Sequence, residues 1–160
     1  METLDDTRLP CLFERLIDHH PDHQDESRHF RTLSISDYRM SIIRDLRWLF
    51  NSARRTDGDV IYSFSEAKSS VLNFGCRDLT GLSSKNFDAY DLEMEFRNVI
   101  LTYEPRIIPE TLVVKMVTSE LDSGQISFEI QGQIWALPHP ELLYVRTEMD
   151  LDTGIAVLKT

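Results

Sequence analysis

"QISFEIQGQIWA", residues 125–136, alternates apolar and polar side chains with little interruption. Ile126, Phe128, Ile130, Ile134 and Ala136 fall on one side of an extended chain, and Ser127, Glu129, Gln131 and Gln133 on the other. Successive side chains of a strand point to opposite faces, so this pattern describes a strand with one buried and one solvated face. Strands of that kind belong to antiparallel sheets covered on one side only. The following stretch, "LLYVRTEMD" (142–150), repeats the pattern, with Leu143, Val145, Thr147 and Met149 inward and Tyr144, Arg146, Glu148 and Asp150 outward. "LDTG" (151–154) then turns the chain into "IAVLK" (155–159). That last strand is short, which makes it a candidate sheet edge open to strand addition. Upstream, "TLVVKMVTS" (111–119) is β-branched and alternates loosely, and "ELDSGQ" (120–125) supplies the turn between them.

Before Pro109 the period is helical. Ser36 or Asp37 suits an N-cap, and over Tyr38–Arg55 the residues Ile42, Ile43, Leu46, Leu49, Phe50 and Ala53 form one stripe, with Trp48 off its centre. A short helix is expected over about Glu66–Phe74, closed by Gly75, and "RDLTGLSS" (77–84) reads as a connecting loop. A longer helix from near Ser84 buries Phe87, Leu92, Phe96, Val99, Ile100 and Tyr103. Helices followed by hairpin-linked strands give an α+β fold, with the N-terminal helices packed on one face of a C-terminal antiparallel sheet. The junction between the two halves is "TYEPRI" (102–107). Pro105 has no amide hydrogen and pushes Glu104 out of the helical region, so the helix stops there. If the exit is extended, Glu104 and Arg106 project on the same side.

Residues 1–35 read as an arm and 36–160 as the folded domain. In the arm, "LPCLFERLID" (9–18) is a short amphipathic helix with Leu12, Phe13, Leu16 and Ile17 apolar, too short to stand alone. "HHPDHQDESRH" (19–29) has no periodicity and reads as a linker. Net charge is −10, which disfavours nucleic-acid binding through phosphates and attraction to an anionic membrane surface. No apolar run reaches the roughly 18 residues of a membrane span, so no insertion is expected and the chain reads as cytoplasmic. Its basic residues are mostly arginine, and Arg44, Arg47, Arg54 and Arg55 cluster against few acids, a candidate arginine interface. An ordinary solvated helix face would look the same.

Chemistry is poorly served. The spacings His20–His23 and His19–His23 fit a zinc site, yet Pro21 interrupts them and no cysteine completes a set, so no metal is expected. Cys11 and Cys76 form neither a disulfide framework nor a CxxC pair. Phosphate-binding and dinucleotide glycine motifs are missing, and no cofactor is implied. There is no nucleophile elbow, and His139 lies between Pro138 and Pro140. Glu14, Glu93, Glu95 and Glu104 are the candidate general acids of a glycosidase, but none sits in a motif that would bury it beside an aromatic wall.

Four segments in register carry a family likeness: "SIIRDLRWLFNSARR" (41–55), "SSVLNFG" (69–75), "FRNVILTYEPRI" (96–107) and the pair "SFEIQGQI" and "RTEMDLDTG" (127–134 and 146–154). Together with "CLFERL" (11–16) they resemble TssE, the type VI secretion baseplate subunit related to the phage T4 baseplate-wedge protein of the "lysozyme-like" family. The histidine-rich linker, Trp135 and the Pro138–Pro140 turn have no counterpart in that pattern. The resemblance implies a non-enzymatic wedge subunit that contacts a helical core bundle of TssF and TssG, sits with TssK in the baseplate, and templates the TssB/TssC sheath. It also implies that Glu104, Pro105 and Arg106 grip the core bundle. Leu12, Phe13 and Leu16 are expected to anchor the arm on a neighbouring subunit. The competing readings are an internal Glu104–Arg106 salt bridge, packing of the arm on the chain's own helices, and a muramidase that cleaves peptidoglycan.

Overall fold

The computed structural model describes residues 10–17, 22, 33–55, 58–81, 88–117, 124–136 and 139–159. Among these residues four α-helices precede four strands: α1 (Leu12–Leu16), α2 (Ile35–Phe50), α3 (Ser65–Lys68), α4 (Ala89–Tyr103), β1 (Val113–Val117), β2 (Gln125–Ile134), β3 (Glu141–Asp150) and β4 (Ala156–Lys159). The strands pair antiparallel in the order β1-β2-β3-β4. Their inward side chains are buried, and Ile126, Phe128, Ile130, Ile134, Leu143 and Val145 are each no more than 2% exposed. This is the α+β arrangement that the period change predicts, and the inward and outward sets of β2 and β3 are the expected ones.

The sheet's buried face is closed by α2 and α4. Ile42, Leu46 and Leu49 from α2 meet Leu92, Phe96 and Ile100 from α4 in one core with the strands. One ring from each layer fixes the geometry. Phe96 of α4 stacks on Phe128 of β2 with centroids 4.5 Å apart, and lies 5.4 Å from Phe50 of α2.

Helix ends differ from the expectation in instructive ways. The N-cap of α2 is Ser34, whose hydroxyl accepts from the Asp37 amide, so Ser36 and Asp37 lie inside the first turn. Ile35 then packs on the core, which gains more than capping two residues later would. At its other end α2 stops at Phe50, and Ala53 bridges Cys76 instead of extending the helical stripe. Asn51 explains the stop. Its side chain bonds both backbone groups of Ala156, donating to the carbonyl at 2.9 Å and accepting from the amide at 3.0 Å. It thereby ties α2 to the sheet edge and covers the first residue of β4.

In place of the helix expected over Glu66–Phe74 the chain forms α3 and a 3-10 turn at Val71–Asn73, after an earlier 3-10 turn at Val60–Ser63. Val71 and Leu72 are exposed, so this segment has no apolar face long enough to sustain a helix. Gly75 ends it at φ +122°, and a Cβ there would lie 2.2 Å from the Ser52 carbonyl oxygen. Gly75→Ala is therefore expected to destabilise the protein. Overpacking of this kind costs about 1–3 kcal/mol and the positive φ adds to it. Urea melts of the two proteins check this; equal midpoints would show that the backbone can move aside.

α4 begins at Ala89 with Asp88 as cap, later than expected, and Phe87 lies outside the described residues. So do residues 120–123 of the expected hairpin turn and all of the histidine-rich linker save Asp22. Among the described residues no group of acids, histidines or cysteines could hold a metal, and no helix is long and apolar enough to cross a membrane.

Candidate functional site

Where α4 ends, the chain makes a turn and not an extended exit. The Glu104 amide still donates to the Ile100 carbonyl at 2.8 Å, and the Ile107 amide donates back to the Glu104 carbonyl at 3.2 Å. Pro105 thus occupies the second position of a β-turn, where its fixed φ fits. Ile107 then bridges Ile134, and the Trp135 amide donates to the Arg106 carbonyl at 2.9 Å. The turn is welded at one end to a helix and at the other to β2.

Within that turn Glu104 and Arg106 face each other. Arg106 Nε donates to Glu104 Oε1 at 2.6 Å, and its Nη2 donates to Glu104 Oε2. Nη2 also reaches Asp45 of α2, and Nη1 donates to the Ser41 hydroxyl at 3.0 Å. Glu104 is buried, at 3% exposure, and the Arg106 side chain is 16% exposed. Burial disfavours the guanidinium charge, but the bonds to Glu104 and Asp45 outweigh it and hold Arg106 protonated well above the usual range. The pair is an internal salt bridge, tying the helix exit to α2. Pro105 alone of the three is exposed.

The network continues towards the arm. Asp45 also accepts from Arg44 Nε at 3.0 Å, and Arg44 lies 3.3 Å from Glu14 of α1. The Arg44 guanidinium lies over both the Phe13 and the Trp48 rings, at 5.2 and 5.0 Å, and those rings meet edge to face at 5.1 Å. Five charges therefore alternate in sign from Glu104 to Glu14. Phe13 docks on the chain's own α2, while Leu12 and Leu16 remain 72% and 74% exposed. Trp48, off the stripe in the sequence, finds its neighbour within the same chain.

Glu14 makes this docking pH-dependent. Burial pushes its carboxyl up, but hydrogen bonds from Cys11 and Ser41 and the Arg44 charge together bring it below its ordinary value of 4.5. A depressed native value means that the arm gains stability above pH 4.5 and loses it as the pH falls through the lower, native value. Acidification is expected to release α1 before the core unfolds, seen as a change in Trp48 fluorescence in a Trp135→Phe background. A single acid transition shared by Trp48 and far-UV circular dichroism would refute it.

Of the other arginines, Arg54 pairs with Glu95 at 3.0 Å, whereas Arg55 and Arg47 are exposed on the surface. Glu95 lies in the larger cleft, about 650 Å³, one helical turn from Asp91. A glycosidase would need one such carboxyl against an apolar wall so that it keeps its proton. Glu95 has Arg54 and Arg77 beside it instead. The smaller cleft, about 400 Å³, lies between α1, α2 and the Glu104–Ile107 turn.

A model of the family described as baseplate wedge protein gp25 matches residues 36–139. This chain belongs to that family. The match runs from α2 to just past β2 and includes the Glu104–Ile107 turn, whereas α1, β3 and β4 lie outside it. A protein from Geobacter sulfurreducens, assigned provisionally as a tail lysozyme, has a solved structure similar to this one: 19% identity, 71% of this chain and 91% of that one covered, TM-score 0.45. No curated protein matches the sequence. Membership in the baseplate wedge protein gp25 family makes this a baseplate component and implies interaction with other baseplate components. Of the readings the sequence left open for Glu104 and Arg106, the structure has the internal salt bridge; its second carboxylate, Asp45, was not foreseen. The clue was Asp45, the lone acid among the arginines of residues 39–55, which is where a buried guanidinium finds its second carboxylate.

Proposed function

We propose that this wedge protein works in a type VI secretion baseplate at the cytoplasmic face of the inner membrane, without enzymatic activity. In this reading it links a TssF/TssG core bundle, alongside TssK, to the TssB/TssC sheath and helps to start sheath polymerisation. The observation that carries the reading is the preformed Glu104–Ile107 turn, rigid and internally neutralised, with Pro105 exposed beside an apolar cleft. A surface already ordered before binding loses little entropy when a partner docks. Glu104 then contributes by holding the turn, Pro105 forms its contact surface, and Arg106 braces it from within. Leu12 and Leu16 are the arm residues left for a neighbouring subunit, and of the clustered Arg44, Arg47, Arg54 and Arg55 it is Arg47 and Arg55 that face outward.

On the sheath side, β4 is the proposed edge, used beyond Ala156 because Asn51 covers that residue's backbone. Sheath assembly that survives Leu158→Pro, which removes an edge amide, would eliminate this part. For the core bundle the test is co-expression with TssF and TssG. Leu12→Asp with Leu16→Asp alters exposed positions, so stability should change by only about 0.5 kcal/mol, while recovery of the complex should fall. Full recovery would discard the arm contact, and recovery with Pro105→Ser as well would discard the turn. Release of reducing ends from peptidoglycan by the purified chain would instead support the muramidase reading.

A further inference from the structure

The cleft between α1, α2 and the Glu104–Ile107 turn has a composition that selects its occupant. Phe13 and Trp48 form its outer wall, each close to half exposed. Leu46 and Leu49 form the floor, and Phe74 and Tyr103 the far side. Large aromatic surfaces held open to water at the mouth of an apolar cleft are the usual setting of a binding anchor.

The charges around it do not balance. Asp45 and Glu104 line the cleft against the single cation Arg106. Arg44 is shared between Asp45, at 2.8 Å, and Glu14, at 3.3 Å, so the series from Glu104 to Glu14 sets three carboxylates against two guanidiniums. One negative charge is therefore in excess. Asp45 accepts from both arginines, but its side chain is 26% exposed against 4% for Glu104 and 11% for Glu14, so of the three carboxylates it is the one with open surface in the cleft. A carboxylate entering the cleft would meet repulsion there, and a neutral apolar group would leave the charge unanswered. An ammonium or guanidinium would add a charge-assisted bond to Asp45 while its neighbour packs on the rings.

We propose that this cleft docks a segment of another protein that presents an aliphatic or aromatic side chain beside a lysine or arginine. This names the partner chemistry for the turn surface proposed above and so rests on that reading. The α1 arm is part of the site, because Phe13 supplies one wall and the Glu14–Arg44–Asp45–Arg106 series holds it next to the turn.

The isolated full chain is enough to test this. Isotope-labelled protein would be titrated with 3-phenylpropylamine and with 3-phenylpropionate, following amide and indole resonances by NMR. The amine is expected to shift Phe13, Asp45, Trp48, Phe74 and Tyr103 and to bind at least about tenfold more tightly than the acid, the size of one hydrogen bond to a charged group. Asp45→Asn should erase the preference. Phe13→Ala, at a half-exposed position outside the core, should weaken the amine about tenfold and shift resonances of α1, Arg44 and Trp48, while those of the core stay in place. Equal affinities, a preference for the acid, shifts centred on the larger cleft along α4, or no shifts at all would overturn the proposal. No baseplate subunit takes part, so failure here leaves the co-expression result standing, and failure there leaves this one standing.

Discussion

Replacing Arg106 with alanine is expected to destabilise the isolated protein by about 3–5 kcal/mol, the usual consequence of removing one partner from a buried ion pair. Glu104 would keep its burial and lose the guanidinium that bonds both its oxygens, and Asp45 would lose a second bond. For a domain of this length that corresponds to a fall of roughly 6–20 °C in Tm. Glu104→Met combined with Arg106→Met should recover most of the loss, because no charge is then stranded in the interior. Thermal melts of the two variants and the parent decide the matter. An unchanged Tm for Arg106→Ala would mean that the network contributes nothing to the monomer and that the pair is held ready for another protein.

This outcome also governs how any assembly defect is read. A complex lost with Arg106→Ala while the melting temperature collapses says only that the turn needs its brace. The informative positions are the exposed ones: Pro105, Leu12 and Leu16.

How much of this was visible beforehand follows from the range of each interaction. The sheet was legible because its cause is local: alternation along Gln125–Ile134 and Glu141–Asp150 specifies which side is buried, whatever lies on top. The stripes of α2 and α4 were legible for the same reason. Interactions between distant residues were not. Arg106 meets Asp45 and Ser41 sixty or so residues away, and Asn51 meets Ala156 across 105 positions. Polar side chains carry no periodicity that announces such partners. The Glu66–Phe74 stretch failed differently: Val71 and Leu72 are apolar but face solvent, since burial depends on what packs opposite and not on hydrophobicity alone.

The second large effect is expected at Phe96. Its ring is 3% exposed and is the middle member of the Phe50–Phe96–Phe128 series, so it touches both a ring from α2 and a ring from the sheet. Phe96→Ala should cost about 3–5 kcal/mol from lost burial and the cavity left behind, and the aromatic contacts add to this. Native stabilities of about 5–15 kcal/mol leave little margin for such a change. Phe96→Leu keeps most of the volume and should lose less, by roughly half, when both are compared by urea denaturation. The distinction from Arg106 lies in the compensation. A buried charge pair can be relieved by removing its partner as well, whereas Phe50→Ala or Phe128→Ala on top of Phe96→Ala only enlarges the cavity. If a second ring deletion restored stability, the three rings would be in strain instead of holding helices and sheet together, and the layer packing described here would have to be redrawn.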